Sequence, residues 1–154
     1  MNTIYLHPGQ MCFCDQPSRV ETVLGSCVAV TMWNQRLGLG CICHAVLPLS
    51  KGALTEPLKY VDSAIQSMLN VLERHSSRRQ DLEVKLFGGA SMRRQVSPRA
   101  SVGRQNIDAA LALLQHEGFT LRTSDTGGSA GRKLLFYTGT GEVFVKRIPM
   151  EARH

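Results

Sequence analysis

No apolar run in this chain comes near the ~20 residues that a membrane-spanning helix needs, and segments such as Leu111 to Leu114 end within a turn. Met1 to Gln10 has no charged stretch followed by an apolar one, the pattern of a secretory signal. Direct membrane insertion is therefore not expected, and the expected compartment is the cytosol. Aromatic residues make up only 6% of the 154 residues and are not interleaved with the basic ones, so a base-stacking surface is missing. Zinc-finger spacing and a helix-turn-helix pattern are missing too, and nucleic acid is not an expected partner. Charged residues are 19%, below the ~25% of ordinary domains, and 43% are hydrophobic, so neither disorder nor a coiled coil fits. Repeats and low-complexity segments are also lacking.

What is present fits one soluble domain spanning residues 1–154. A chain of this length buries roughly 70% of its unfolded surface, which builds an apolar core without disulfide or metal staples. The five cysteines are an odd number in a chain without an export pattern, so reduced thiols are expected rather than a disulfide framework. The excess of 18 Lys and Arg over 12 Asp and Glu gives a net charge of +6, which suits an acidic protein partner.

Val20 to Val30 and Leu37 to Leu47 are apolar segments broken by Gly25, Asn34 and Gly38, and they read as neighbouring strands. Tyr60, Val61, Ala64, Ile65, Met68, Leu69 and Leu72 recur at helical spacing, which predicts an amphipathic helix from Lys59 to Arg74. Leu82 to Phe87 reads as a strand ending at Gly88-Gly89, and Ser91 to Arg104 as a basic loop. Asn106 and Asp108 look like the cap and first turn of a second helix that stops at Gly118. Thr120 to Ser124, Lys133 to Tyr137 and Val143 to Ile148 read as three further strands, the last two joined across Gly139-Thr140-Gly141. The economical architecture is α/β: a three-layer α/β sandwich with a mixed sheet and two main helices.

Gly25-Ser26-Cys27 presents a thiol at the edge of the apolar run Val28-Ala29-Val30. The glycine allows a ligand or another backbone to come close, and the amides at Gly25 and Ser26 are placed to meet a developing oxyanion. The alternative is a buried cysteine packing as a small hydrophobe. His44 ends the apolar run Cys41-Ile42-Cys43-His44, where a solvated histidine is out of place; a base for Cys27 and a satisfied core residue are both open. His75 and His116 fall at helix C-termini, where an imidazolium suits the dipole, and His7 lies near the N-terminus. A zinc site from Cys12, Cys14, Cys41, Cys43 and His44 is disfavoured. On a strand, Cys41 and Cys43 face one side and His44 the other, and the spacing is C-x-C. No metal is expected.

The string Thr22-Val23-Leu24-Gly25-Ser26-Cys27-Val28-Ala29-Val30 with His44-Ala45-Val46-Leu47-Pro48 resembles the CheD family, the chemoreceptor glutamine deamidases of bacterial chemotaxis. Phe87-Gly88-Gly89-Ala90-Ser91-Met92, Gly103-Arg104-Gln105-Asn106, Asp125-Thr126-Gly127-Gly128 and Gly131-Arg132 follow in that family's order, so the likeness covers about Thr22 to Arg147.

The resemblance implies a cysteine-dependent amidohydrolase with a core similar to the deamidating toxins of the cytotoxic necrotizing factor group. It implies Cys27 as nucleophile, His44 as the histidine that activates it and Thr22 as the residue that orients His44, with a thioester intermediate and no metal or organic cofactor. Such a thiol is expected to be more acidic than a free cysteine and to alkylate selectively. The implied substrates are glutamines on the cytoplasmic helices of chemoreceptors, with ester hydrolysis of methylated glutamates open as a second reaction. Arg93, Arg94 and Arg99 are placed to steer those acidic helices, and Phe87, Gly88, Gly89, Ala90 and Ser91 to form a partner surface. The alternative function is regulatory: binding a CheC-type phosphatase of the response regulator with little catalysis.

Overall fold

The computed structural model describes residues 1–91 and 101–149. Within them, nine strands form two mixed sheets. One has four strands in the order β1-β3-β8-β9, from Asn2–Tyr5, Ser18–Leu24, Gly131–Tyr137 and Val143–Ile148. The other has five in the order β2-β5-β4-β6-β7, from Met11–Cys14, Leu39–Ala45, Val28–Asn34, Leu82–Gly88 and Leu121–Thr126. β1 runs parallel to β3 and β7 parallel to β6, and the remaining pairs are antiparallel. Two helices, α1 (Val61–Arg74) and α2 (Val102–His116), cover the free face of the five-stranded sheet. The result is the expected three-layer α/β sandwich, with two mixed sheets where one was expected.

Two cores separate the layers. Val28, Val30, Met32, Cys41, Cys43, Val84 and Leu86 meet Ile65, Met68, Leu72, Ile107 and Leu114 of the helices. Val20, Leu24, Leu134 and Phe136 of the four-stranded sheet meet Ala29, Ile42 and Phe87 of the other. Each fully buried large side chain removes enough apolar area from water to contribute ~2 kcal/mol. The five-stranded sheet is covered on both faces, so all seven residues of β5 are buried and its sequence is a continuous apolar run. β3 has one open face, and its burial alternates from Ser18 to Leu24.

Several expectations change. The segment Val20 to Val30 is two strands in different sheets, because the chain crosses between layers at Gly25-Ser26-Cys27. The first helix starts at Val61, after a 3-10 turn at Pro57–Lys59. The second is capped by Ser101, whose hydroxyl accepts from the Arg104 N–H at 3.1 Å, and Asn106 lies one turn inside it, fully buried. Ser101 occupies the last extended position before the helix, where a capping oxygen faces the orphan amides. β1 and β2, four residues each, carry too little periodicity to be read from sequence and are held by pairing with β3 and β5.

Candidate active site

The turn Gly25-Ser26-Cys27 is held by its three carbonyls. The Ala90 N–H donates to the Gly25 carbonyl at 3.0 Å and the Gly89 N–H to the Cys27 carbonyl at 2.9 Å. The Asn106 side-chain amide donates to the Ser26 carbonyl at 3.0 Å. Gly88 and Gly89 sit at φ +103° and +74°, in the left-handed region, and a Cβ on Gly88 would run into the Cys27 carbonyl. With the backbone secured from inside, the half-buried Cys27 thiol is left to the second core's rim.

His44 comes from the neighbouring strand. It pairs across β4–β5 with Ala29, and Cys27 lies in the turn two residues before Ala29, packed against the inter-sheet core to which Ala29 belongs. His44 is 1% exposed. Its Nδ1 lies 2.7 Å from Thr22 Oγ1 of β3, which itself lies 2.7 Å from the Leu6 carbonyl oxygen. That carbonyl only accepts, so the single hydroxyl proton of Thr22 goes to it and Thr22 must accept from Nδ1–H. The lone pair is thereby fixed on Nε2, which is buried and has no partner among the described residues. The His44 backbone is pinned as well: its carbonyl accepts from the Gly9 N–H at 2.8 Å, and its N–H donates to the Gln10 carbonyl at 3.0 Å.

Burial lowers the His44 pKa to about 4, with the His7 charge adding to the effect. Burial also pushes the Cys27 thiol above its ordinary value, opposed by its own backbone N–H. Desolvation thus penalises thiolate and imidazolium alike, a direction opposite to the expected acidic thiol. A cleft of about 350 Å³ opens between Pro8, Gly9, Val46 and residues 56–59, and Gly9 is the residue whose N–H donates to the His44 carbonyl.

Known proteins resemble this chain over most of its length. Residues 46–147 match the family model described as CheD chemotactic sensory transduction. A Geobacter sulfurreducens protein named probable chemoreceptor glutamine deamidase CheD 2 is 44% identical over 94% of this chain and 89% of its own. A probable chemoreceptor glutamine deamidase CheD of Maridesulfovibrio salexigens is 42% identical over 94% and 91%, and one of Pseudomonas fluorescens 36% identical over 96% and 85%. The chain belongs to the CheD family.

Within that CheD frame, Thr22 reaches across from the opposite sheet to His44, and Cys27 lies in the turn that leads into β4, the strand paired with the one carrying His44. β3 pairs regularly with β8 from Arg19 to Leu24, so no bulge is needed to aim Thr22 inward. Gly25 and Ser26 form the turn as expected. The expected partner surface is corrected: Phe87, Gly88, Gly89 and Ala90 are buried and Ser91 half-buried, because the two glycines fold this turn under Cys27. It is braced in turn by Gly127 N–H to the Gly88 carbonyl at 2.9 Å and Ser91 N–H to the Gly128 carbonyl at 2.8 Å. Arg132, 2% exposed, closes that loop through Asp125 at 3.0 Å and the Gly127 carbonyl at 2.7 Å. Met92, Arg93, Arg94 and Arg99 lie outside the described residues, and Arg104 pairs with Asp108 at 3.0 Å on α2.

Cys41 and Cys43 pack toward the helices, whereas Cys12 and Cys14, with sulfurs 3.5 Å apart, face the inter-sheet layer. The residue that sequence reasoning missed is Asn106, read as a helix cap and found bridging Ser26 to Val46, whose carbonyl it also reaches at 3.0 Å. Its sequence signals are its place in the motif Gly103-Arg104-Gln105-Asn106 and the helical spacing that puts it on the same buried stripe as Ile107, Ala110 and Leu114.

Proposed function

We propose that this chain is a protein-glutamine deamidase of chemoreceptors, with Cys27 as nucleophile, His44 as acid and base, and Thr22 as the residue that orients His44. The observation that carries the reading is the buried Nε2 of His44, without a partner among the described residues, its lone pair fixed by Thr22, on the strand that pairs with the one into which Cys27 leads.

Because desolvation penalises thiolate and imidazolium alike, proton transfer from Sγ to Nε2 accompanies attack of sulfur on the glutamine side-chain carbonyl carbon. The carbonyl electron pair moves onto oxygen, and backbone N–H groups at Ser26 and Cys27 receive that charge. As it returns, the imidazolium gives its Nε2 proton to the amide nitrogen, the C–N bond breaks, and ammonia leaves a thioester on Cys27. Water, deprotonated by Nε2, attacks the thioester; the C–S bond breaks and the thiol is restored. Glutamine and water become glutamate and ammonium, adding one negative charge to the receptor. A glutamate methyl ester follows the same course with methanol as leaving group. The +6 charge favours approach to acidic receptor helices.

The test is mass spectrometry of receptor cytoplasmic fragments incubated with this protein or with Cys27→Ala. The expected result is glutamine-to-glutamate conversion at defined positions by the unmutated protein alone. Conversion by neither, with both folded, overturns the reading and favours regulatory binding of a CheC-type phosphatase, leaving Cys27 as a structural thiol.

A further inference from the structure

Asn106 is fully buried in the second turn of α2, and its side-chain nitrogen donates to two carbonyls from separate segments: Ser26 in the turn between β3 and β4, immediately before Cys27, and Val46 just past β5, two residues after His44. The orientation of the carboxamide is fixed, because both partners only accept. Both of its hydrogens are used, and the cost is visible at its other end, where Oδ1 is buried with no partner among the described residues. A side chain kept merely to fill space would not strand an acceptor in the core.

What the bond to Ser26 does follows from peptide planarity. In a trans unit the carbonyl and the next N–H point in opposite directions, so drawing the Ser26 carbonyl toward α2 turns the Cys27 N–H away from it. That N–H is the one that lies against the Cys27 sulfur. The second arm, to Val46, fixes the turn against the strand that carries His44. Gly103 sets the depth of the reach: a Cβ there would meet the Ala90 and Gly89 carbonyls, so its absence lets α2 close onto the turn that supports Cys27.

We propose that Asn106 is a positioning residue for the oxyanion step: by clamping the Ser26 and Val46 carbonyls together it aims the Cys27 N–H at the developing oxyanion and holds the nucleophile turn in register with His44. The inference rests on the deamidase reading for its natural substrate, but its test does not. Acylation of Cys27 by p-nitrophenyl acetate passes through an oxyanion, whereas alkylation by iodoacetamide is a displacement at carbon that needs none.

The experiment measures the acylation burst, corrected with Cys27→Ala, together with alkylation of Cys27 and turnover of receptor fragments. For Asn106→Ala the expected acylation rate falls ~100-fold, the loss typical of one misplaced oxyanion donor. Alkylation and KM stay within about threefold, while kcat on receptor fragments falls with acylation. Asn106→Leu keeps the branched shape but has no hydrogens to donate, and is expected to lose as much; it serves where Asn106→Ala does not fold. An unchanged burst overturns the inference. So does an equal fall in acylation and alkylation, or loss of a cooperative melt in both variants, since each makes Asn106 a purely structural residue. An unmutated protein that shows a burst but converts no receptor glutamine defeats the deamidase reading alone, and one with neither burst nor conversion defeats both.

Discussion

The proposed nucleophile and its proposed base are held in opposite ways. Cys27 is fixed through backbone: three carbonyls of its turn accept from Ala90, Asn106 and Gly89, and no side-chain hydrogen bond among the described residues constrains the thiol. His44 is fixed through its ring, with Nδ1 locked by Thr22 and only Nε2 free. The difference matches the tasks. A nucleophile must move onto carbon and back, so its backbone is rigid and its side chain is not. A base must offer one lone pair in one direction, so its tautomer is the thing secured.

The sharpest way to break the imidazole half is His44→Ala. It removes the proton acceptor while leaving every carbonyl contact at the Cys27 turn, and kcat for receptor deamidation should fall ~10³–10⁴-fold, the range of a lost general acid and base. Melting should fall as well, since the change leaves a cavity and strips Thr22 Oγ1 of its imidazole partner, so activity is compared below the transition of the variant. A fall of less than tenfold, measured by ammonia release, would mean that the thiol does not depend on His44.

The backbone half breaks through its glycines. Gly89 lies at φ +74°, and a Cβ there collides with Ile107 of α2, so Gly89→Ala combines left-handed strain with overpacking. A destabilisation of about 3 kcal/mol is expected in chemical denaturation. Activity should fall with it, because Gly89 donates to the Cys27 carbonyl. A neutral substitution would show that this turn is free to rearrange.

These two halves were unequally legible in the sequence. Cys27 and His44 stood out because a thiol after a glycine and an imidazole in an apolar run are chemically conspicuous. Thr22 was reached through family likeness, since its contact joins two sheets whose stacking the sequence does not print. The backbone half was mostly hidden. Gly88 and Gly89 read as a surface turn, because nothing local says that positive φ folds them inward. Asn106 read as a cap because asparagine favours that position, while Ser101, five residues earlier, takes it. β1 and β2 were invisible for want of length, although the Leu6 carbonyl that follows β1 fixes the proton of Thr22.

The imidazole half also leaves a signature in stability. The His44 pKa is lowered from 6.5 to about 4, so the unfolded chain binds a proton more readily than the folded one below neutrality. Stability from this group is fully present above about pH 6.5 and is lost as pH falls toward 4, amounting to about 2 kcal/mol by pH 5. His44→Gln should flatten that slope between pH 7 and 5 in urea titrations, and an unchanged slope would mean that His44 is not the group responsible.

The finest test separates the hydroxyl of Thr22 from its shape. Thr22→Val fills the same volume but cannot accept from Nδ1–H or donate to the Leu6 carbonyl, so the imidazole is free to place its proton on either nitrogen. The wrong tautomer presents no lone pair to the thiol, and kcat should fall by roughly tenfold, with KM unchanged because Thr22 does not face substrate. Thr22→Ser retains both hydrogen bonds and should stay within about threefold of the unmutated protein, at some cost in packing. If valine and serine lose activity equally, the methyl group rather than the hydroxyl is what holds His44, and the imidazole half is secured by packing instead of by a fixed proton.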